Sequence, residues 1–164
     1  MTRIATAAEE AGSEYLAFSL GEEEYAVNIL KVQEIRAYER VTRIANLPAF
    51  IKGVMNLRGA VVPVVDLRLR FNVGNAEYNA STIVIVLNIG ERTIGMVVDG
   101  VSDVVILKPS ELRPAPQIAG VLSGDFLEGI AILDKRMLII VDIDGLMSSK
   151  EMGLLDAAAA EPVA

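Results

Sequence analysis

Short runs rich in valine and isoleucine, separated by turn residues, follow one another along most of the chain. Such β-branched side chains favour strands, and the glycine and charged pairs between the runs mark chain reversals. The pattern predicts ten strands, at residues 15–20, 24–27, 32–38, 53–57, 60–66, 82–89, 93–98, 101–107, 129–133 and 136–142.

The pattern of apolar runs and turns is present twice. Gly21-Glu22 and its flanking apolar runs recur at Gly90-Glu91, an offset of 69 residues. A second segment that begins at Gly53 recurs at Gly129, an offset of 76 residues. A loop insertion of seven residues explains the difference between the two offsets. Two copies are too few for a solenoid, so we expect a duplicated small domain.

Five predicted strands in each copy are enough to close a small barrel and so remove exposed strand edges. The expected fold class is therefore all-β, with two five-stranded barrels that share a core. Because the two halves of each copy lie far apart in sequence, the chain can exchange strands between the barrels, and we predict no clean boundary between them. The seam of such a two-lobed body is a natural place for a partner to bind.

Few helices are expected. Pro48 is suited to the first turn of a short helix over residues 48–51, with Asn46 as its cap. Ser148 and Glu151 have the spacing of a capping box, and the apolar residues beside them predict a C-terminal helix at about residues 148–158 that docks on a barrel.

The two ends of the chain lack an apolar pattern. Residues 1–13 and 159–164 are therefore predicted to be flexible tails, which leaves residues 14–158 as the folded body. The first residues also lack the basic start and apolar core of a secretory signal. No segment approaches the roughly 20 apolar residues of a membrane helix. We expect a cytoplasmic protein.

The 164 residues include no cysteine and no histidine. This composition excludes disulfides, thiol nucleophiles, thiolate zinc sites and the usual general base near neutral pH. An enzyme is disfavoured, and we assign no catalytic residue, metal ligand or cofactor site.

The acidic residues do not suggest catalysis. Asp66 and Asp142 hold equivalent places in the two copies, which favours a duplicated turn or helix cap over an acid–base pair. Asp99 and Asp103 lie four residues apart in a predicted strand, and two acids with no histidine make a poor metal site.

The net charge of −7 is spread unevenly. Residues 1–24 carry a net charge of −5, whereas residues 31–70 carry +5. A solvated face explains the basic segment, and nucleic-acid binding is the alternative, although few aromatic residues accompany the bases.

Two short motifs have the properties of a binding surface. Asn56-Leu57-Arg58-Gly59 predicts a hairpin tip with an arginine, whose planar donors suit an acidic or amide-rich partner. Val32-Gln33-Glu34-Ile35 predicts a strand on which a carboxylate lies among apolar neighbours. A polar turn residue and a solvated glutamate would explain both motifs equally well.

Taken together in order, several motifs closely resemble the CheW family of chemotaxis coupling proteins over residues 14–158. They are Gln33-Glu34-Ile35, the run from Thr42 to Gly59 that contains Asn46-Leu47-Pro48-Ala49-Phe50 and Asn56-Leu57-Arg58-Gly59, Val61-Val62-Pro63-Val64-Val65-Asp66-Leu67, and Val97-Val98-Asp99-Gly100-Val101-Ser102-Asp103-Val104. Two relatives contain the same module, the kinase CheA and a fusion with a receiver domain. The first needs a phosphoacceptor histidine and the second an additional domain, and this chain has neither.

The resemblance implies two SH3-like barrels and a non-catalytic adaptor. Such adaptors bind the cytoplasmic tip of chemoreceptors and the regulatory domain of CheA, so that receptor state controls the kinase. We therefore expect recruitment from the cytoplasm to membrane receptor arrays, no membrane insertion, no nucleic-acid partner, and a monomer in isolation.

The resemblance also implies two sets of contact residues. The receptor groove between the barrels corresponds here to Val32, Glu34, Ile35, Gly53, Arg58 and Ile83. The kinase contact corresponds to the loop of residues 113–118, represented by Arg113, Pro116, Gln117 and Ile118, with Val41 and Val61 as weaker candidates. Family members often have an acid and an aromatic at the last two loop positions, which Gln117 and Ile118 replace.

Overall fold

The computed structural model describes residues 12–39, 41–71, 77–114, 127–133 and 135–146. The predicted C-terminal helix lies outside these residues, as do the predicted tails except for residues 12 and 13. The strands of the described part are β1 (Ser13–Leu20), β2 (Glu23–Asn28), β3 (Val32–Ala37), β4 (Ile51–Leu57), β5 (Ala60–Asp66), β6 (Ile83–Ile89), β7 (Arg92–Val98), β8 (Gly100–Leu107), β9 (Leu112–Arg113), β10 (Leu127–Leu133) and β11 (Arg136–Val141).

All ten predicted strands are present, each within two residues of its expected ends. The two-residue strand β9 was not predicted. Short helices follow β5 and β11, at Leu67–Phe71 and Ile143–Leu146, and 3-10 turns lie at Ile29–Lys31 and Pro109–Glu111. The expected helix at residues 48–51 is wrong, because that segment is a turn in which the Ile51 N–H donates to the Pro48 carbonyl over 3.0 Å. Asn46 adopts a left-handed conformation there, with φ of 66°.

The strands form two sheets with matching strand orders. The first sheet has the order β8-β1-β2-β11-β10-β9, and the second has the order β3-β6-β7-β5-β4. Neighbours are antiparallel except for β2 with β11 and β5 with β7, which are parallel. Because β8, β1, β2, β11 and β10 are the duplicated counterparts of β3, β6, β7, β5 and β4, the two sheets are the same structure built twice.

The sheets exchange strands between the two sequence copies. The first sheet takes β1 and β2 from the first copy and β8 to β11 from the second, while the second sheet takes β3 to β5 from the first copy and β6 and β7 from the second. The chain therefore crosses between the sheets twice, after β2 and after β7. This arrangement follows from the sequence order, in which the two halves of each copy lie far apart.

Each sheet is closed by the chain that continues from its first strand. In the second sheet, Thr42 follows β3 and pairs with Val54 of β4, the last strand of that sheet. In the first sheet, β9 follows β8 and pairs with β10. We call the closed first sheet barrel I and the closed second sheet barrel II. The predicted fold of two small barrels is thus confirmed.

The apolar residues form three clusters rather than one. Strand residues alternate between the inside of their own barrel and the face that meets the other barrel, so that β1 buries both of its faces. The predicted shared core is confirmed as the largest cluster, which we call the central core. Its buried members are Leu16, Phe18, Leu20, Tyr25, Val27, Ile51, Val65, Leu67, Ile85, Leu87, Ile89, Ile94, Met96, Val98, Ile139, Val141 and Ile143.

Candidate functional site

Strand β3 forms the first strand of barrel II and presents a different set of side chains on each face. Ile35 lies opposite Ile85 of the central core and is 45% exposed. Val32 and Ile83 are partly buried against the same core. Because directly opposed residues share a face of a sheet, these three apolar side chains lie along one outer face, beside the seam between the barrels.

Glu34 and Arg36 belong to the other face of β3, at the rim of barrel II. They lie opposite Val86 and Val84, which belong to the interior cluster of that barrel. A β-bulge between Val32 and Glu34 shifts the register at this point. Charged and apolar side chains are therefore placed on the two sides of a single strand, within two residues of one another.

Arg58 reaches Glu34 from the hairpin tip between β4 and β5. Its Nη1 and Nη2 atoms donate to the two carboxylate oxygens of Glu34 over 3.3 Å and 2.6 Å. Such two-pronged pairing fixes the orientation of both groups more firmly than a single contact does. Since β3 and β4 are the first and last strands of barrel II, the pair also joins the two ends of the sheet.

The backbone of Arg58 is unusual for its residue type. Arg58 and Gly59 have φ values of 50° and 90°, which describes a tight hairpin turn that normally takes asparagine followed by glycine. The Asn56 side chain supports the turn by accepting from the Gly59 N–H over 2.7 Å. An arginine in this left-handed conformation costs about 1 kcal/mol. A strained residue whose side chain remains 63% exposed is an indication of function.

The sequence did not single out Arg36, yet it completes the site. Its Nη1 donates to Oε1 of Glu34 over 3.2 Å, so that two arginines hold one carboxylate. The hydrogen bonds from Arg58, assisted by those from Arg36 and Gln33, lower the pKa of Glu34 to about 2. Glu34 is therefore ionised at every physiological pH. The available signal was the spacing of two residues between opposite charges on a strand, which places both on one face.

Gly53, the remaining predicted receptor contact, is buried in β4. Its φ is 138°, and a Cβ atom added there would lie 1.9 Å from the carbonyl oxygen of Thr42. The equivalent Gly129 is similarly crowded, by the carbonyl oxygen of Arg113 at 2.4 Å. Both glycines therefore admit the backbone segment that closes each barrel. Gly53 lies in the same barrel as the other five candidates but offers no side chain to a partner.

The described kinase-contact candidates divide between the barrels. Arg113 is exposed in β9 of barrel I, and Val61 is 46% exposed in β5 of barrel II. Val41 packs against the interior cluster of barrel II. The other three candidates, Pro116, Gln117 and Ile118, lie outside the described residues.

Asp66 belongs to a buried ionic cluster. Nε and Nη2 of Arg68 donate to its two oxygens over 3.0 Å and 2.9 Å, and Nη1 of Arg68 donates to Asp99 over 2.9 Å. The hydroxyl of Tyr78 donates to Asp66 as well, and burial together with this hydrogen bond raises the pKa of Tyr78. These groups satisfy one another.

The sequence favoured a duplicated turn or cap at Asp66 and Asp142, and in the structure both are helix caps. Asp66 accepts from the backbone N–H of Arg68 over 2.9 Å, and Asp142 accepts from that of Gly145 over 3.1 Å. Each acid thus starts the short helix that follows its strand. Across the described ranges, no group of three or more Asp and Glu residues is arranged to hold a metal ion.

Several bases of the basic segment, residues 31–70, are paired with acids. Arg36 and Arg58 pair with Glu34, and Arg68 pairs with Asp66 and Asp99. Glu34 and Asp66 belong to the segment and are already counted in its net charge, whereas Asp99 comes from elsewhere in the chain. These pairs give no support to the nucleic-acid alternative, which requires cations that are available to phosphates.

Barrel I carries a counterpart of the Glu34 site. Asp103, which is equivalent to Glu34, accepts two hydrogen bonds from Arg136 of the β10–β11 hairpin, over 3.0 Å and 2.9 Å. Arg136 also donates to both oxygens of Glu24, over 3.1 Å and 2.7 Å. Hydrogen bonding to Arg136 lowers the pKa of Asp103. Arg136 is thus occupied by two acids, whereas Arg58 is held by one.

The chain is similar to known proteins over most of its length. The family model of the CheW-like domain matches residues 14–151. The chemotaxis protein CheW of Klebsiella aerogenes is 56% identical over 153 residues, which cover 93% of this chain and 92% of that protein. The chemotaxis protein CheW of Rhizobium meliloti is 36% identical over 151 residues, covering 92% of this chain and 97% of that protein.

A solved structure shares the fold. The crystal structure of scaffolding protein TtCheW from Thermoanaerobacter tengcongensis matches with a TM-score of 0.78 at 32% sequence identity, over 85% of this chain and 95% of that chain. In the part of the chain that the structure describes, no helix is long and apolar enough to cross a membrane.

Proposed function

The chain belongs to the CheW-like family, and we propose that it couples the cytoplasmic tips of chemoreceptors to the regulatory domain of CheA. Its role in chemotaxis is that of an adaptor and scaffold, as in the relatives it matches. It acts by binding alone, so that receptor state controls the kinase. We propose further that it is a monomer recruited from the cytoplasm to receptor arrays.

The observation that supports the receptor contact is the composition of the surface around strand β3. We call this surface the β3 face and define it by the apolar Val32, Ile35 and Ile83 on one side of the strand and by Glu34 and Arg58 on the other. The apolar strip is thus accompanied, across a single strand, by an exposed arginine whose guanidinium is already oriented by an acid. Protein interfaces are centred on apolar and arginine anchors of this kind, surrounded by a polar rim. An anchor that is ordered before binding loses little conformational entropy on binding.

The kinase contact is proposed for a separate surface. It centres on the sequence segment of residues 113–118, with Arg113, which lies in barrel I, and with Pro116, Gln117 and Ile118. Val41 and Val61 of barrel II are the weaker candidates. An adaptor must hold both partners at once, so the two contacts have to lie apart. The β3 face and β9 belong to different barrels, which is consistent with simultaneous binding.

The test of this function is a substitution that removes the arginine without harming the turn. Arg58→Asn places the preferred residue at the first turn position, so the fold should be at least as stable as in the wild type. Binding to an isolated receptor-tip fragment should weaken by roughly tenfold, or about 1.4 kcal/mol, while binding to the CheA regulatory domain should be unchanged. Both affinities are measured by isothermal titration calorimetry.

Lys135→Asn is the matched control, because Lys135 is an exposed turn residue of the equivalent β10–β11 hairpin. It removes one positive charge from the same kind of turn and should leave receptor affinity unchanged. Equal weakening by both variants would indicate a general charge effect and contradict the proposed contact. Wild-type receptor affinity in Arg58→Asn would contradict it as well.

A further inference from the structure

Glu34 is the point at which two arginines of different origin meet. Arg58 comes from the tip of a hairpin and is 63% exposed, whereas Arg36 comes from the same strand and is 30% exposed. Both donate through Nη1 to the same atom, Oε1 of Glu34, over 3.3 Å and 3.2 Å. The Glu34 carboxylate thus accepts hydrogen bonds from the β4–β5 hairpin, through Arg58, and from its own strand, through Arg36.

Arg36 is itself held in place. Its Nη2 lies 3.6 Å from the Oε2 atom of Glu39, so that the guanidinium spans two carboxylates, those of Glu34 and Glu39. A strand fixes the spacing of residues two apart, and Arg36 and Glu34 therefore meet without any loop having to order itself. Arg58, by contrast, lies on an exposed turn.

An exposed ion pair between two long side chains normally gains little, because ordering both chains opposes the attraction. A second cation that already restrains the carboxylate reduces this entropic cost for the first one. The carboxylate of Glu34 then presents its oxygens in one direction, and Arg58 pairs with an acceptor that does not move.

We propose that Arg36 is a positioning residue of the receptor contact: it fixes the carboxylate of Glu34, which in turn fixes the guanidinium of Arg58 for the partner. Arg36 acts through Glu34 and makes no contact of its own with the receptor. The inference rests on the proposed function, since it assigns a residue to the contact made by the β3 face.

A double-mutant cycle tests the route of this effect. The receptor-tip fragment is titrated with full-length wild type, Arg36→Ala, Glu34→Gln and the variant carrying both substitutions. Arg36→Ala should weaken binding by about fivefold, less than Arg58→Asn does. In the Glu34→Gln background, the same substitution should change the affinity by less than about 1.5-fold, because the group it acts through is gone.

Two further measurements separate positioning from a general effect on folding. Arg36→Lys keeps the charge on the strand and should recover part of the lost affinity. The titration of the Glu34 carboxyl, followed by carbon-13 NMR without any receptor, should move upward from about 2 in Arg36→Ala, because one of its cations is lost while Arg58 and Gln33 remain.

Three results would contradict the proposal. Equal losses in both backgrounds would show that Arg36 contacts the receptor directly, and wild-type affinity in Arg36→Ala would remove its role altogether. A fall in affinity with no change in the Glu34 titration would also overturn the positioning route. If the wild type itself binds no receptor fragment, the proposed function is wrong, and the positioning role fails with it. If the wild type binds and Arg36→Ala binds equally well, only the positioning role is wrong.

Discussion

Gly53 shapes the β3 face without presenting a side chain to it. The carbonyl of Thr42 approaches so closely that only a hydrogen atom fits on the Gly53 Cα, and this approach is what closes barrel II next to β4. Its φ of 138° is also a conformation that other residues rarely adopt. Its effect on a receptor contact would therefore be indirect, through the shape of the barrel.

Gly53→Ala should destabilise the protein by about 2–4 kcal/mol, since the added methyl group meets backbone atoms that cannot move aside cheaply. Gly59→Ala is the control, because Gly59 has a φ of 90° but no atom within 4 Å of the added Cβ. That variant should lose only about 1 kcal/mol from its backbone conformation. Urea denaturation measures both, and equal losses would show that the contact with Thr42 is unimportant.

For individual residues, the sequence alone could indicate the residue types of the candidate site but not their roles. Glu34 and Arg58 are separated by 24 residues, and only barrel closure brings them together. Arg36 was visible as a neighbour of opposite charge on the same strand. Nothing in the sequence distinguished Gly53, a buried glycine that allows another segment to approach, from Gly59, a glycine at a surface turn, because either could mark a turn between strands.

The two helix-starting acids show how one element can be stabilised in two ways. Asp66 ends β5 and Asp142 follows β11, and these are the strands that pair in parallel with β7 and β2. In each copy, the residue two positions after the capping acid forms an ion pair with a residue of a segment that connects the barrels. Arg68 pairs with Asp99, which lies between β7 and β8, and Asp144 pairs with Lys31, which lies between β2 and β3. The signs of the charges are reversed between the copies. Arg68 is buried, whereas both members of the Lys31–Asp144 pair are exposed.

Asp66→Asn and Asp142→Asn should therefore differ strongly although they are equivalent. The first removes the more deeply buried of the two carboxylate charges that compensate the buried Arg68, and it should destabilise the fold by about 3–5 kcal/mol. The second keeps a side chain that can still cap the helix and should cost less than about 1 kcal/mol. Thermal unfolding followed by circular dichroism compares them, and similar losses would refute the structural difference described above.

The strands themselves were predictable because a run that is buried on one or both faces leaves a clear apolar pattern. The pairing of the strands was not predictable. Apolar alternation shows that a strand has a buried face but carries no record of which strand lies beside it, so the parallel pairs of β2 with β11 and of β5 with β7 were not foreseen. Strand β9 is too short to show a period. Proline is favoured at the start of helices and in turns alike, and the turn at Pro48 was therefore predicted as a helix.

On the scale of the whole molecule, the exchange of strands makes the barrels inseparable. Barrel I needs strands from both sequence copies, and so does barrel II. The central core adds side chains from both barrels to this connection. A displacement of one barrel relative to the other would strain both chain crossings. We therefore expect the adaptor to behave as one rigid body when it holds two partners.

Separate expression of residues 1–78 and 79–164 tests this view. Each half corresponds to about one sequence copy and should fail to unfold cooperatively on its own, since neither completes a barrel. Mixing the halves should restore the β-sheet circular dichroism spectrum and a cooperative transition. A chain cut between Tyr78 and Asn79 after folding is the control and should remain associated. Cooperative unfolding of either half alone would contradict the role given to strand exchange.

The crossing of strands also bears on descent. A chain with one copy, holding only β1 to β5, could close neither barrel, but two such chains related by a twofold axis would close both. The present protein is then a fused homodimer in which the partner has become the second half of the same chain. In a symmetric dimer both faces must be identical. Fusion released that constraint, so that Arg58 could remain exposed on one face while Arg136, an arginine of the equivalent hairpin in the other half, was drawn between Glu24 and Asp103.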